Sequence, residues 1–333
     1  MTPDACCCPG RGLGPPHAGR PAISRRALWC GGLGLAAAGM PAAARTSQAD
    51  GFALDPVAPG AWVHFGQVAL VTPANAGDIA NLGVVVGERA VAVIDSGGSV
   101  TVGAALRAAI RAVTDVPVRY VINTHEHPDH VFGNAAFADA TFVGHHLLPA
   151  VLAERGPYYL HAYRDQLGPQ EIANVRIIPP SVLVQDEATL DLGGRVLRLR
   201  AAPSPAHSHC DLAVLDTTTG TLFAGDLLFV RHVPVLDGSL VGWLGLLARL
   251  SATPALRAVP GHGRQVVSWP AGLADERRYL TTLAADARRL IAAGVPLAQA
   301  AAQIDQAEHG RWQLFDDYNP RNATAAYGEL EWE

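Results

Sequence analysis

Four side chains that can bind a metal ion lie within six residues of this chain, directly after an apolar run typical of a buried strand. The segment 120–130 reads Tyr-Val-Ile-Asn-Thr-His-Glu-His-Pro-Asp-His. His125 and His127 alternate in an extended backbone, so both imidazoles can reach one metal ion. A proline then ends the extended stretch, and Asp129 is a favoured N-cap residue, which directs Asp129 and His130 towards a neighbouring position. Imidazole and carboxylate ligands are typical of zinc, and four of them this close together predict two metal ions.

Other imidazole and carboxylate side chains stand at the ends of apolar runs elsewhere in the chain. His207 precedes such a run, whereas Asp226 and His262 each follow one, and Asp95 ends an earlier run. Loops at the strand ends of a mixed sheet are where ligand sites collect. We therefore expect these side chains to complete the same site. His209, two residues after His207, is the alternative ligand at that position.

Short runs rich in β-branched residues alternate with helical patterns along most of the chain. Strands are predicted over residues 62–65, 82–86, 90–94, 118–122, 141–143, 196–199, 212–215, 221–224 and 256–259. Helices are predicted over residues 101–113, 129–137, 147–155, 240–250, 272–293 and 297–307. A Thr-Thr-Thr-Gly turn at 217–220 joins two strands into a hairpin. This mixture predicts a layered α/β core, followed by helices and a polar, aromatic tail.

The first 44 residues have the composition of an export signal and leader. Arg25 and Arg26 precede an uncharged run of small and apolar residues, 27–40, and small residues then offer a cleavage site ending at Ala44. The paired arginines predict a twin-arginine signal and a periplasmic protein. The run is too short to span a bilayer, which requires about 20 residues. We accordingly expect a leader over 1–44, a main domain over 45–269 and a C-terminal helical extension over 270–333.

Composition excludes several classes of function. The chain contains no lysine, which excludes a Schiff-base lysine and a phosphate-binding P-loop. The formal net charge is −5, which argues against nucleic acid or an anionic membrane surface as partner. Four of the five cysteines lie in the leader, so Cys210 alone would remain after cleavage, and no intramolecular disulfide is expected in the exported protein.

The order and spacing of these ligands resemble the five-motif signature of the metallo-β-lactamase superfamily over residues 62–269. The resemblance implies an αββα sandwich with its metal ions at one edge, between the two sheets. It assigns one zinc ion to His125, His127 and His207, a second zinc ion to Asp129, His130 and His262, and a bridging position to Asp226.

The same resemblance bears on neighbouring positions. Asp95 would orient a ligand loop from behind the metal ions. The spacing from His207 to Asp211 matches the family pattern, which favours His207 over His209 as the third ligand. Cys210 stands where the family commonly has glycine, which leaves either a soft ligand near the site or a buried inert thiol.

Other segments resemble a narrower, exported branch, the quinoprotein relay system zinc metallohydrolases. They cover residues 143–149, 155–160, 234–239 and 320–322, the last ahead of 329–331. The branch is associated with quinone-dependent dehydrogenases and cytochromes of the periplasm. The resemblance therefore implies a periplasmic quinoprotein dehydrogenase as a partner, besides a small-molecule substrate.

The expected chemistry is hydrolysis by a hydroxide that bridges two zinc ions, with Asp129 and Asp226 as catalytic carboxylates. A true β-lactamase typically has Cys or Ser in place of Asp226, which argues against that activity. A glyoxalase-type thioester hydrolase shares all seven ligands and is the main enzymatic alternative. A non-catalytic carrier of metal or cofactor is the alternative from another class.

Overall fold

A computed structural model describes residues 52–333 of the chain. The predicted export signal and leader over 1–44, with the paired arginines, lie outside the described residues. Over the described part, no helix is long and apolar enough to cross a membrane. Residues 52–333 belong to one compact unit.

The first sheet has seven strands that lie side by side in chain order. They are β1 (Asp55–Ala58), β2 (Ala61–His64), β3 (Leu82–Val86), β4 (Val91–Ile94), β5 (Val118–Ile122), β6 (Thr141–His145) and β7 (Val182–Val184). β1 to β4 are antiparallel, whereas β4 to β7 are parallel and are connected through helices. The parallel strand ends therefore meet at one edge of the sheet.

The second sheet has six strands, β8 (Glu187–Asp191), β9 (Val196–Ala201), β10 (Leu212–Asp216), β11 (Thr221–Phe223), β12 (Arg257–Val259) and β13 (Val267–Ser268). They lie side by side in the order β13-β12-β11-β10-β9-β8. The predicted hairpin is confirmed, since β10 pairs with β11 in antiparallel fashion across the turn at Gly220, which has φ +63°. β11 and β12 are parallel, so a helix crosses between them.

Helices cover both outer faces. Those that follow the first sheet are α1 (Val100–Val113), α2 (Pro128–Val131), α3 (Leu148–Leu167) and α4 (Pro169–Asn174), and the later ones are α5 (Leu240–Ser251), α6 (Ala274–Ala292), α7 (Leu297–Ala300) and α8 (Phe315–Leu330). One apolar core lies between the sheets and includes Ile122, Leu199 and Phe223. A second packs α1 on the first sheet, and a third packs α5, α6 and α8 on the second. The predicted αββα sandwich with its C-terminal helical part is confirmed.

The structure differs from the sequence prediction at the edges and at the C-terminus. β1, β7, β8 and β13 were not predicted, since each is short or, like β8, alternates charged residues with few apolar ones. The predicted helix over 297–307 is wrong in length, since α7 covers only Leu297–Ala300, and the aromatic tail of the predicted helical extension forms a helix of 16 residues, Phe315–Leu330. Its sequence is only weakly amphipathic, and burial of Ala323, Ala326 and Leu330 against the second sheet's helices stabilises it.

Candidate metal centre

The seven predicted ligands lie together at one edge of the sandwich, where loops from both sheets meet. Those of the first sheet come from the loop after β5 and from α2, and those of the second come from the loop before β10 and the segments after β11 and β12. Their side chains are buried or nearly so. They fall into two groups whose ligand atoms lie within 4.8 Å of one another, namely His125, His127, His207 and Asp226, and Asp129, His130 and His262.

The first group is compact. His207 Nε2 lies 3.2 Å from His125 Nε2 and 2.9 Å from His127 Nδ1, and these last two atoms are 3.1 Å apart. Asp226 Oδ2 lies 3.4 Å from His207 Nε2 and 3.8 Å from His125 Nε2. A tetrahedral zinc ion with Zn–N bonds of about 2.0–2.1 Å needs ligand atoms about 3.3 Å apart. The three nitrogens and the carboxylate therefore fit one zinc ion.

The second group contains a carboxylate and two imidazoles, and it is slightly wider. Asp129 Oδ2 lies 3.2 Å from His262 Nε2 and 3.5 Å from His130 Nε2. Asp226 reaches this group as well, with Oδ1 at 3.2 Å from His130 Nε2 and Oδ2 at 3.3 Å from His262 Nε2. Asp226 is thus placed between both groups, as a bridging ligand would be.

Each of the five imidazoles has one ring nitrogen that faces away from the cluster, and its N–H, called here the outer N–H, donates to an oxygen atom. His207 Nδ1 donates to Val235 O, His262 Nδ1 to Ile79 O, and His125 Nδ1 to Thr124 Oγ1, at 2.7, 3.0 and 2.9 Å. His127 Nε2 and His130 Nδ1 donate to the carboxylates of Asp237 and Asp95, at 2.9 and 2.8 Å. Metal-binding histidines are held in this way in proteins.

This arrangement directs the second nitrogen of every ring inward, towards the other rings. Several neutral imidazoles that point lone pairs at one another repel, and a cation between them removes the repulsion. Two inward atoms, His130 Nε2 and Asp226 Oδ1, are buried without a hydrogen-bond partner. The donor set, its spacing and these two unsatisfied atoms all fit a pair of metal ions.

Burial and the neighbouring carboxylates set the protonation of the histidines in opposite directions. Burial lowers the pKa of His125 well below its usual value and that of His207 to about 4. Burial acts in the same direction on His262, but the neighbouring Asp226 and Asp129 carboxylates raise its pKa to about 9. His125 and His207 are therefore neutral, the form that binds metal. Burial also lowers the pKa of His127, but the Asp237 and Glu126 carboxylates outweigh it and raise that pKa. The imidazoles nearest to both carboxylates share protons until a metal ion replaces them.

Asp95 connects the strand edge to both groups of ligands. Its Oδ1 accepts from Thr124 N at 2.8 Å, and its Oδ2 accepts from Thr124 Oγ1 at 2.7 Å and from His130 Nδ1. Its backbone has φ +61°, an uncommon value for a residue other than glycine. Asp95 is accordingly placed behind the ligands, where the family resemblance expects it.

Two glycines permit the close approach of the second sheet's loops. Gly225 has φ +54°, and a Cβ there would lie 2.7 Å from Thr124 Cβ. A Cβ on Gly261 would collide with the Asp226 carboxylate. A larger residue at Gly225 would displace Thr124, and one at Gly261 would displace the candidate ligand Asp226.

One local prediction is wrong, and the alternative raised for another position finds no support in the geometry. Helix α2 begins with Pro128, so His127 occupies the N-cap position and Asp129 lies inside the first turn. The Asp129 side chain faces His262 instead of capping the helix. His207 lies in the first group, whereas His209 is exposed.

Cys210 is buried and lies outside both groups. Its thiol donates to Glu126 Oε2 at 3.1 Å, and burial together with the Glu126 carboxylate raises the pKa of the thiol. These observations agree with the inert thiol and argue against a soft ligand.

A third set of acidic and imidazole groups, Glu126, His127 and Asp237, already contains a cation, because Arg155 lies 3.3 Å from Glu126 and 2.6 Å from Asp237.

A cleft of about 820 Å³ opens onto the ligands. Its walls include residues that sequence reasoning missed as site residues, above all Tyr163, Tyr318, Arg321, Arg155 and Asp237. Tyr318 and Arg321 are contributed by α8, which lies within the predicted C-terminal helical extension but was not predicted as a helix of its own. Arg155, Asp237 and Arg321 lie in segments that carry the resemblance to the exported branch, which is the one sequence signal that could have pointed to them.

Comparison with known proteins agrees with this geometry. Residues 76–262 match the Metallo-beta-lactamase superfamily, so the matched region covers more than half of the chain and ends at the last candidate ligand, His262. The chain belongs to this superfamily.

Solved structures share the fold at low sequence identity. A metallo-beta-lactamase from Pontibacter korlensis has a TM-score of 0.56 and 19% identity, covering 69% of this chain and 99% of that one. One from Hirschia baltica has a TM-score of 0.53 and 18% identity, covering 69% and 97%. A double mutant of the sec-alkyl sulfatase PisA1 has a TM-score of 0.62 and 16% identity, covering 84% of this chain and 50% of its own. Likenesses at this level define the fold alone.

A curated relative adds no activity. The uncharacterized protein YobT of Bacillus subtilis (strain 168) is 29% identical over 136 residues, or 39% of this chain. The match spans 56% of that protein's length.

Proposed function

We propose that this protein is a zinc-dependent hydrolase with two zinc ions per chain. His125, His127 and His207 would hold the first ion, Asp129, His130 and His262 the second, and Asp226 both. The observation that carries the proposal is the set of five imidazoles, each fixed by an outer hydrogen bond, with all inward nitrogens gathered around one carboxylate.

Zinc ions in such a pair acidify water to a pKa of about 7 and polarise the bond that is attacked. The chain's own residues then have distinct tasks. Asp226, whose carboxylate lies between the two ligand groups, would hold both ions at a fixed separation. Asp129, whose Oδ2 lies 3.2 Å from His262 Nε2 at the cleft wall, would orient a water molecule or accept its proton.

The described residues offer no convincing protein nucleophile for a different mechanism. Cys210 is fully buried and bonded to Glu126, and its raised thiol pKa keeps it protonated. Burial also raises the pKa of Tyr159 and of Tyr163, so these cleft hydroxyls stay neutral. Attack by a water molecule is therefore the economical reaction, with a small molecule as substrate.

Hydrolysis assays on zinc-loaded protein test the proposal. Thioesters, lactones and β-lactams represent the substrate classes of a carbonyl hydrolase, and thioester cleavage alone would favour the glyoxalase-type reaction. We expect turnover of at least one class that is lost on chelation and restored by zinc. Two bound zinc ions without turnover of any class, together with normal support of the dehydrogenase pathway, would favour a metal carrier.

We also propose that the protein is exported to the periplasm and supports a quinoprotein dehydrogenase there. The support comes from Arg25 and Arg26 ahead of an apolar run, and from the resemblance of segments 234–239 and 320–322 to the exported branch. Replacing both arginines with lysine should retain the precursor in the cytoplasm and abolish growth on a substrate of that dehydrogenase. Unchanged export and growth would contradict this part of the proposal.

A further inference from the structure

We propose that Asp237 is a positioning residue that fixes His127 for metal binding, and that the C-terminal helix α8 holds Asp237 in place through Arg321. The inference rests on the metal centre of the proposed function. It assigns α8, which contributes none of the seven candidate ligands, a part in the affinity of the first metal site.

The contact between Asp237 and His127 determines which ring nitrogen faces the metal site. His127 Nε2 donates to Asp237 Oδ2 at 2.9 Å, while Nδ1 lies 2.9 Å from His207 Nε2 and 3.1 Å from His125 Nε2. A neutral imidazole carries a single N–H. A proton held on Nε2 by a carboxylate therefore leaves the lone pair on Nδ1, where the first group needs it.

His127 needs this hydrogen bond more than the other ligands of its group. The side chains of His125 and His207 are fully buried, so packing on all sides restricts their rings. The side chain of His127 is 14% exposed and lines the cleft. A ring with solvent on one side is free to rotate unless a directional bond holds it, and Asp237 provides that bond.

Asp237 is itself fixed from two directions. Arg155 Nη2 lies 2.6 Å from Oδ2, and Arg321 Nη2 donates to Oδ1 at 2.7 Å. The backbone next to it is held by α8 as well, because Leu236 N donates to Asn322 Oδ1 at 2.9 Å and Asn322 Nδ2 donates to Pro234 O at 2.6 Å. Two consecutive residues of one helix thus hold both the side chain and the backbone of segment 234–237.

Asp237→Asn tests the inference, because it keeps the shape and one oxygen acceptor but removes the charge. We expect zinc affinity at the first site to fall by about 10- to 100-fold, the usual effect of losing a partner behind a metal ligand. Competition with a chromophoric chelator measures both sites, and affinity at the second site should change by less than about two-fold. Arg321→Gln should weaken the first site in the same direction, but less.

Glu308→Gln is the matched control. Glu308 is a buried carboxylate of the same helical region, and it accepts hydrogen bonds from Arg278 and Trp312, neither of which is a candidate ligand. Its loss should lower stability without changing zinc affinity. Equal losses of affinity in Glu308→Gln and Asp237→Asn would overturn the inference, because a general weakening of the helical layer would then explain both.

A spectroscopic signature separates positioning from stability. In cobalt-substituted wild-type protein, the Nε2–H of His127 should give a paramagnetically shifted NMR signal that exchanges slowly with solvent. Asp237→Asn should shift or broaden this signal, and Glu308→Gln should not. An unchanged signal with unchanged affinity overturns the inference.

Should Asp237→Asn fail to fold, Arg321→Gln decides, since the Arg321 side chain is 55% exposed and tolerates replacement. Wild-type protein that binds no zinc would instead refute the proposed metal centre.

Discussion

Two regions of this molecule contain buried carboxylates whose protonation is opposite. In the metal centre, burial raises the pKa of Asp129 and Asp226, but the neighbouring histidines outweigh it and hold both values below the usual range. In the C-terminal helical region, burial raises the pKa of Asp305 to about 8, with Glu308 and Asp286 adding to it. Burial likewise raises the pKa of Glu276 well above its usual value.

The comparison shows what makes a buried acid a metal ligand. Burial alone favours the neutral acid, because a low-dielectric interior penalises the charged form. Asp305 has two buried carboxyl oxygens without a hydrogen-bond partner, which is tolerable for a neutral group. Asp226 stays anionic because positive charge surrounds it, first shared protons and then, as we propose, zinc. The two regions should therefore respond differently to the same Asp→Asn change.

The largest expected effect is that of Asp226→Asn. The amide has the size of the carboxylate and keeps one oxygen atom that can bind a metal ion, but it removes the negative charge between the two ligand groups. The second metal ion should therefore bind more weakly. Hydrolysis should fall by at least about 100-fold, equivalent to about 3 kcal/mol of transition-state stabilisation, while the circular dichroism spectrum stays unchanged. Metal analysis and steady-state kinetics measure the two effects. A folded variant with wild-type hydrolysis would refute the catalytic role of the metal pair.

His127→Ala sharpens the comparison within the metal centre. Removing one of three imidazoles should cost most of the metal at the first site and most of the activity. His209→Ala is the control, because His209 is exposed two residues from His207, and it should keep both. Metal content per chain after dialysis distinguishes the variants. Metal loss in His209→Ala with none in His127→Ala would reassign the first site.

Asp305→Asn should have a smaller effect. It should raise the free energy of unfolding, whereas Asp226→Asn lowers metal affinity and hydrolysis. The folded state binds a proton on Asp305 up to about pH 8, whereas the unfolded chain releases it near pH 4, so ionisation favours unfolding as pH rises between these values. The amide removes this penalty. Its free energy of unfolding in urea should exceed that of the wild type by an amount that grows from pH 5 to pH 8. A constant difference across that range would show that Asp305 ionises normally.

Glu276→Gln should have the smallest effect. Glu276 Oε1 accepts from Phe229 N at 3.0 Å, and the Phe229 ring stacks on His262 with centroids 5.2 Å apart. Because the carboxyl is neutral, an amide can replace it with a loss of less than about 1 kcal/mol in unfolding free energy. Zinc affinity should be unchanged. A marked loss of zinc would mean that Glu276 carries a charge that the metal centre uses.

The success of sequence reasoning at the metal centre follows from local chemistry. His125, His127, Asp129 and His130 are adjacent in the chain, so strand geometry and one proline nearly determine their directions. Asp226 and His262 follow buried strands, and strand ends of paired parallel strands meet wherever such a sheet forms. Every predicted strand corresponds to an observed one, because each is a short apolar run and such runs form buried strands.

The features that could not be predicted from the sequence depend on contacts between residues that are far apart in the chain. The amino-acid sequence by itself determined the α/β layers, the two ligand groups and the preference for imidazole over thiol ligands. Tertiary structure alone decided that the aromatic tail packs as one helix over 315–330, that Asp237 accepts from His127 across 110 residues, and that Asp305 is neutral while Asp226 is not. The reason is physical: local backbone preferences act between neighbours in sequence, whereas burial, hydrogen-bond partners and the balance of charge exist only after distant segments have packed together.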